Sequence, residues 1–290
     1  MCKPGGLTGK SVGGGESRGG SGIGSRNNSE GGRDARVPSG SGRMGDDGSG
    51  GTSGSGGAGG NSAGNVEHYF SNAPLAASAR ATVSYELPTG HLPGQSQLKL
   101  KFITDSGVFS KRRVDFGTDL LIRSMPPLLG KVLDLGCGYG AAGIALALLN
   151  PGVEMWFSDI NERAVELCRE NCSRLLAGTY YSAHDINGVE LLQARVVQAD
   201  GLEWLRGTDA LFDAIVANPP VRAGKEHIYK LFEGAHNALN EGGAYYIVIQ
   251  KKQGMASAAN KLSELFGNCM DIARKAGYHV LKSVKLQTGQ

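Results

Sequence analysis

Asn218, Pro219 and Pro220 close the stretch "AIVANPPVRAGK", where apolar residues run straight into an asparagine and two prolines. Consecutive prolines continue neither a central strand nor a helix, so the chain must turn there, and the turn cannot relax. An amide held rigidly at the mouth of a buried strand offers a fixed acceptor and a fixed donor, which is the equipment for orienting another molecule's polar group. A second constellation lies upstream in "VLDLGCGYGAAG". Gly136, Gly138 and Gly140 permit positive φ and close approach of a ligand to the backbone, and the helix that follows presents free N–H groups. Such a glycine turn also fits a dinucleotide. Asp134 argues against that reading, because a carboxylate beside the turn repels a pyrophosphate and attracts a cation. It suits the methionine end of S-adenosyl-L-methionine, met through its amine.

Two more carboxylates stand at strand ends. Asp159, in "FSDINERA", lies about twenty residues beyond the glycines, where an acidic side chain accepts hydrogen bonds from ribose hydroxyls. Asn161 is placed to cap the next helix while Asp159 binds. Asp200, in "VVQADG", is positioned to take an adenine amino group. Open α/β sheets bind ligands at the carboxyl ends of their strands, so three acids at successive ends form a pattern. The expected cofactor contacts are Asp134, Gly136, Cys137, Gly138, Gly140, Asp159, Ile160, Asp200, Gly201 and Asn218.

The elements that must position these residues alternate in type. From Lys131 onward short apolar runs ("KVLDLG", "VEMWFSDI", "ARVVQAD", "FDAIVAN", "GAYYIVIQ") alternate with helical segments, which specifies βαβ units and a mostly parallel sheet covered on both faces. "SELFGNCMDIARKAG" reads as a helix and "YHVLKSVKL" as a closing strand. Before Lys131, "ATVSYELP" and "QLKLKFITD" read as an antiparallel β-rich pair, and "VDFGTDLLIRSMPP" as a short helix ending before Pro126. This divides the chain into 1–65, a Gly/Ser-rich tail; 66–130, a β-rich extension with a helix; and 131–290, the core. About half of the 46 glycines fall in the first part. So little apolar surface there cannot offset the entropy of ordering the backbone, and disorder is expected.

The formal charge is +3, and the tail, with seven Lys/Arg against five Asp/Glu, holds most of it. The body is therefore nearly neutral, and any nucleic-acid contact must come from local clusters. Lys99, Lys101, Lys111, Arg112 and Arg113 form one; Arg222 and Lys225, with Lys251 and Lys252, form another. Five cysteines show no metal-ligand spacing, and Cys168 and Cys172, at i and i+4, suit helix packing. The six histidines show no metal spacing either. The odd cysteine count and the lack of a signal peptide or long apolar run point to a reducing, cytoplasmic setting without membrane or metal.

Taken together, these motifs resemble the class I S-adenosylmethionine-dependent methyltransferases. "NPP" is similar to the signature of those that methylate planar amino groups: adenine N6, guanine N2 or a glutamine side-chain amide. In that setting the Asn218 amide oxygen and the Pro219 carbonyl each accept one hydrogen of an NH₂ group and aim its nitrogen at the methyl carbon. "HYFS", "TDSGVFSKRRVDFGTDLLI" and "NPPVRAGK" further resemble the family that methylates guanine N2 of 16S ribosomal RNA, in its short single-domain members. The resemblance implies a doubly wound, seven-stranded Rossmann-like sheet, with Asn218, Pro219 and Pro220 as the catalytic corner. It implies ribosomal RNA or a small-subunit particle as partner, with Phe109, Ser110, Lys111, Arg222 and Lys225 facing the substrate. It also places Phe109, Ser110, Asp115 and Gly117 beside the cofactor, although Asp115 and Thr118 equally fit the caps of the following helix. The position after the second proline is often aromatic in that family; here it is Val221, so a stacking surface must come from Phe109 or Phe70. Guanine N2 and adenine N6 both remain open, as does a protein glutamine, although the β-rich, lysine-bearing extension favours RNA.

Overall fold

The computed structural model describes residues 72, 74, 76–89, 97–180 and 194–287. The tail over 1–65 and the "HYF" aromatics lie outside the described residues. Strands β1 (Ala81–Pro88) and β2 (Gln97–Thr104) pair antiparallel, from Ala81 opposite Thr104 to Pro88 opposite Gln97. Their inward residues Val83, Tyr85, Leu87, Leu100 and Phe102 are buried at alternate positions. Helix α1 (Phe116–Ser124) follows, ending where the extended residue Met125 precedes Pro126.

The main sheet has seven strands in the order β5-β4-β3-β6-β7-β9-β8. The strands are β3 (Lys131–Leu135), β4 (Glu154–Asp159), β5 (Arg195–Gln198), β6 (Phe212–Ala217), β7 (Leu239–Gln250), β8 (Met270–Lys275) and β9 (Tyr278–Val284). β3 to β7 run parallel to their neighbours, and β9 enters antiparallel beside β7 with β8 outside it. Connecting helices are α2 (Ala141–Leu149), α3 (Glu162–Tyr180), α4 (Lys225–Ala238) and α5 (Met255–Phe266).

Strand alternation sorts the core into two layers. Val132, Val216, Val248 and Val280 pack with Leu121 of α1, Ile144 of α2 and Leu167 of α3. Leu133, Ile215, Ile247 and Leu281 point the other way, toward Phe232 of α4 and Leu262 of α5. Because side chains alternate faces, Asp134 shares the Val132 face and so points at α2, which decides what its carboxylate can reach.

One element differs from expectation. "SELFGNCMDIARKAG" is not a single helix: α5 stops at Phe266, Gly267 takes φ 71, and Met270–Lys275 forms β8. Asn268 fixes the change of direction by pairing with β9, its Nδ2 donating to the Val284 carbonyl and its Oδ1 accepting from Val284 N, each at 2.8 Å. A helix through Gly267 would forfeit both bonds and leave β9 an unpaired edge.

Candidate active site

The pocket lies at the carboxyl ends of β3, β4, β5, β6 and β7, where the strand order reverses between β3 and β6. β3 feeds directly into the glycine turn. Gly136 N and Cys137 N both donate to the Ser158 carbonyl, at 2.8 and 3.0 Å, so the turn continues the ladder to β4 for two residues before breaking away. Gly136 and Gly138 then take φ of 73 and 55, and nothing lies within 4 Å of where a Cβ would project from either. The backbone is thereby left accessible from the pocket. Helix α2 comes unusually close beneath: a Cβ on Gly143 would sit 2.3 Å from the Phe157 ring.

Asp134 is buried, and its Oδ2 accepts from Gly143 N at 2.8 Å. Burial pushes its carboxyl up to about 7, the charge of Asp159 adds to the rise, and the Gly143 N–H opposes it. Asp159 braces the turn from the next strand. Its Oδ2 accepts from Gly138 N at 2.8 Å and its Oδ1 from Asn161 N at 2.9 Å. Burial raises its carboxyl as well. Asn161 is the expected cap, accepting from Ala164 N at 3.2 Å. The same side chain donates to the Gly107 carbonyl at 2.9 Å and so ties down the loop after β2. That loop carries Phe109 and Ser110 into the pocket wall. Ser110 takes φ 64, unusual for a residue with a Cβ, and its hydroxyl donates to the Arg113 carbonyl within the same tight turn.

At the other end of the pocket Asn218, Pro219 and Pro220 form the corner after β6, followed by a single 3₁₀ turn at Val221–Ala223. The Asn218 amide nitrogen donates to Thr118 Oγ1 at 3.1 Å and to Asp115 Oδ2 at 3.3 Å, both at the start of α1. Asp115 is also the cap of α1, accepting from Gly117 N at 2.8 Å. The cap reading and the site reading of Asp115 therefore hold together.

The wall includes Phe109, Ser110, Asp134, Gly136, Cys137, Gly138, Asp159, Ile160, Asp200, Gly201 and Asn218. Gly140 acts from beneath, as the left-handed residue that starts α2. Lys111 is not brought to the wall; its ammonium donates to Ser106 Oγ at 2.6 Å. Arg222 and Lys225 are exposed on the rim, in the turn after the prolines and at the start of α4. Sequence reasoning missed Tyr278, Gln250, Gln253 and His227 of the wall. Gln250 ends a legible strand and Gln253 follows it, but Tyr278 arrives on the strand inserted between β7 and β8, and no local pattern signals that insertion.

Among the described wall residues are four aspartates, Asp115, Asp134, Asp159 and Asp200, and no lysine or arginine. This donor set suits a positively charged nucleoside and repels a polyphosphate. The methyltransferase small domain family matches this sequence over residues 99–282, from within β2 to within β9. The chain belongs to that family. An uncharacterized protein of Bacillus subtilis, YbxB, is 38% identical over 222 residues, which are 76% of this chain and 99% of YbxB. Ribosomal RNA large subunit methyltransferase G of Streptomyces avermitilis is 32% identical over 208 residues, 69% of this chain and 49% of that one. Among solved structures, the 16S rRNA N2 G1207 methyltransferase of Thermus thermophilus, in complex with AdoMet and guanosine, superposes with a TM-score of 0.56 at 26% identity. That match covers 73% of this chain and 52% of the Thermus chain. This methyltransferase small domain thus spans nearly all of YbxB but about half the length of the two ribosomal RNA enzymes.

Proposed function

We propose that this chain methylates an exocyclic amine of a base in ribosomal RNA, with guanine N2 of 16S RNA as the first target. S-adenosylmethionine is the cofactor, and when bound it supplies an electrophilic methyl group to the pocket. The acidic wall fits its charge, and in this reading Asp134, Asp159 and Asp200 meet its amine, ribose and adenine. The single observation that carries the substrate reading is the corner at Asn218. Its nitrogen is engaged by α1, so its oxygen is the group left to accept a hydrogen from the pocket side. An acceptor there holds an NH₂ group and stiffens its hold as the nitrogen becomes positive, so no base is needed before attack; the proton leaves afterwards. The Pro219 carbonyl takes the second hydrogen, and the ring of Pro220 keeps the corner from yielding.

The relatives support ribosomal RNA and differ on the subunit: one is named for the large subunit and the Thermus enzyme for 16S. A base amine is buried in a paired stack, so the target nucleotide must be unpaired or flipped out. Among the described residues no helix is long and apolar enough to cross a membrane and no His/Cys/Asp/Glu group could hold a metal. A cytoplasmic place beside the ribosome completes the reading. Nucleoside mass spectrometry of 16S and 23S RNA from a strain lacking the protein tests it, with the N2-methylguanosine content of 16S RNA expected to fall and that of 23S RNA to stay unchanged. A tritiated-methyl assay on RNA and on protein supplies the counter-outcome, since label in protein alone overturns the RNA substrate.

A further inference from the structure

An asparagine amide has two nearly identical ends, and only one of them can hold an amine. With the oxygen toward the pocket Asn218 accepts a hydrogen from an NH₂ group; with the nitrogen there it meets that group donor to donor. Pro219 and Pro220 fix the backbone of the corner and leave this choice of rotamer undecided. The start of α1 decides it. Asp115 Oδ2 stands 3.3 Å and Thr118 Oγ1 3.1 Å from Asn218 Nδ2. A carboxylate only accepts, so an oxygen facing it would be repelled and the nitrogen is drawn in.

Asp115 is itself held in place by hydrogen bonds. It caps α1, accepting from Gly117 N at 2.8 Å and Thr118 N at 3.3 Å, and α1 is pinned by the buried Leu121 and Ile122. No side chain intrudes, because Gly117 has none: a Cβ there would lie 2.9 Å from Asp115 Oδ2 and 3.0 Å from the Tyr278 ring. We propose that Asp115, with Thr118, is a positioning residue that sets which end of the Asn218 amide faces the substrate. This rests on the reading of Asn218 as the amine acceptor. It also makes α1, 103 residues upstream of the corner, part of the machinery for methyl transfer.

Asp115→Ser is the informative change, because the same Oδ2 caps the helix and faces the Asn218 amide, and serine caps a helix about as well as aspartate while its side chain, one bond shorter, withdraws the acceptor from Asn218. The assay is single-turnover methylation of ribosomal RNA from a strain lacking the protein, with cofactor saturating. D115S is expected to lower the rate on the order of ten- to a hundredfold, short of the loss of a whole preorganised contact, with the melting temperature nearly unchanged and the saturating cofactor removing any effect on its binding. In an Asn218→Ala background the same change should cost nothing further, since no amide is left to orient. Thr118→Val should lower the rate less, and Thr118→Ser should restore it. A wild-type rate in D115S with a slow N218A overturns the positioning role alone. An equal fold loss in both backgrounds also overturns it, since Asp115 would then act on the substrate directly. A wild-type rate in N218A removes the amine-acceptor reading and this proposal with it.

Discussion

The two ends of the pocket are braced in opposite ways. At the cofactor end the glycine turn is braced by near neighbours: Asp134 holds Gly143 nine residues on and Asp159 holds Gly138 twenty-one residues back, both within one β3-α2-β4 unit. At the amine end Asn218 is held by Asp115 and Thr118, which are 103 and 100 residues away, and Tyr278 closes the wall from a strand sixty residues further on. A cofactor common to many enzymes can be met by a local, portable unit. A particular acceptor has to be met by surfaces that the whole fold brings together, and there the orientation of one amide depends on tertiary structure.

The sharpest way to break this division is Asn218→Ala. Removing a preorganised polar contact at a site of developing charge should lower the single-turnover rate on the order of 10²–10³, while cofactor affinity moves little because the carboxylates stand on other strands. A rate close to wild type with stability intact would mean that the corner only shapes the backbone.

Asp159→Ala should do the converse. It removes the acceptor of Gly138 N and Asn161 N and loosens the glycine turn, along with any hold on the ribose. A cost of about 1–3 kcal/mol in cofactor binding follows, roughly 5- to 150-fold in Kd by calorimetry, with the saturated single-turnover rate much less affected. Unchanged affinity would detach Asp159 from the cofactor end.

The same division is visible in how far the sequence could be read. The glycine turn, Asp134, Asp159 and the Asn161 cap were legible because the residues that engage one another lie within a single βαβ period. The rigid corner was legible because two prolines act on their own backbone. The contact between Asp115 and Asn218 carried no local signal, since a cap and a long-range acceptor call for the same residue type. Nor was β8 visible as a strand: Met270–Lys275 is an exposed edge with charged residues, and only its pairing to β9 makes it extended. His227 lines the wall because α4 starts right after the prolines, a placement that depends on where the corner sends the chain.

Protons should distinguish the two ends as well. Asp134 titrates near 7 because burial disfavours its charge. A cation binds the ionised form, so cofactor affinity should rise with pH by up to about tenfold per unit below 7 and flatten above it. Without ligand the sign for stability is opposite: a carboxyl raised by folding favours the folded state at low pH, and that contribution is lost as pH climbs from about 4 to 7. Asp159, raised in the same direction, adds to the stability trend. Calorimetry from pH 5.5 to 7.5 should therefore show a slope that Asp134→Asn flattens, since asparagine keeps an acceptor for Gly143 N. A slope that survives in that variant would place the titrating group elsewhere.

The smallest expected effect belongs to the rim, outside both ends. Arg222 and Lys225 are exposed beside the corner, and Arg112 and Arg113 are exposed on the loop that carries Phe109. An ammonium already held by a neighbour has less to offer a phosphate, so Lys111, bonded to Ser106, should matter least of the group. Each phosphate neutralised releases condensed counterions. Replacing one contacting residue by glutamine should therefore reduce the slope of log affinity for RNA against log salt by roughly one unit. Such contacts are formed equally in the ground and transition states, so the saturated single-turnover rate should stay where it was. Arg222→Gln tests this most closely, because its side chain leaves from the turn that Asn218 begins. A changed slope with an unchanged rate would separate docking of RNA from presentation of its amine. A lower rate with an unchanged slope would move Arg222 from the rim into the amine end, and the corner would then be charged as well as rigid.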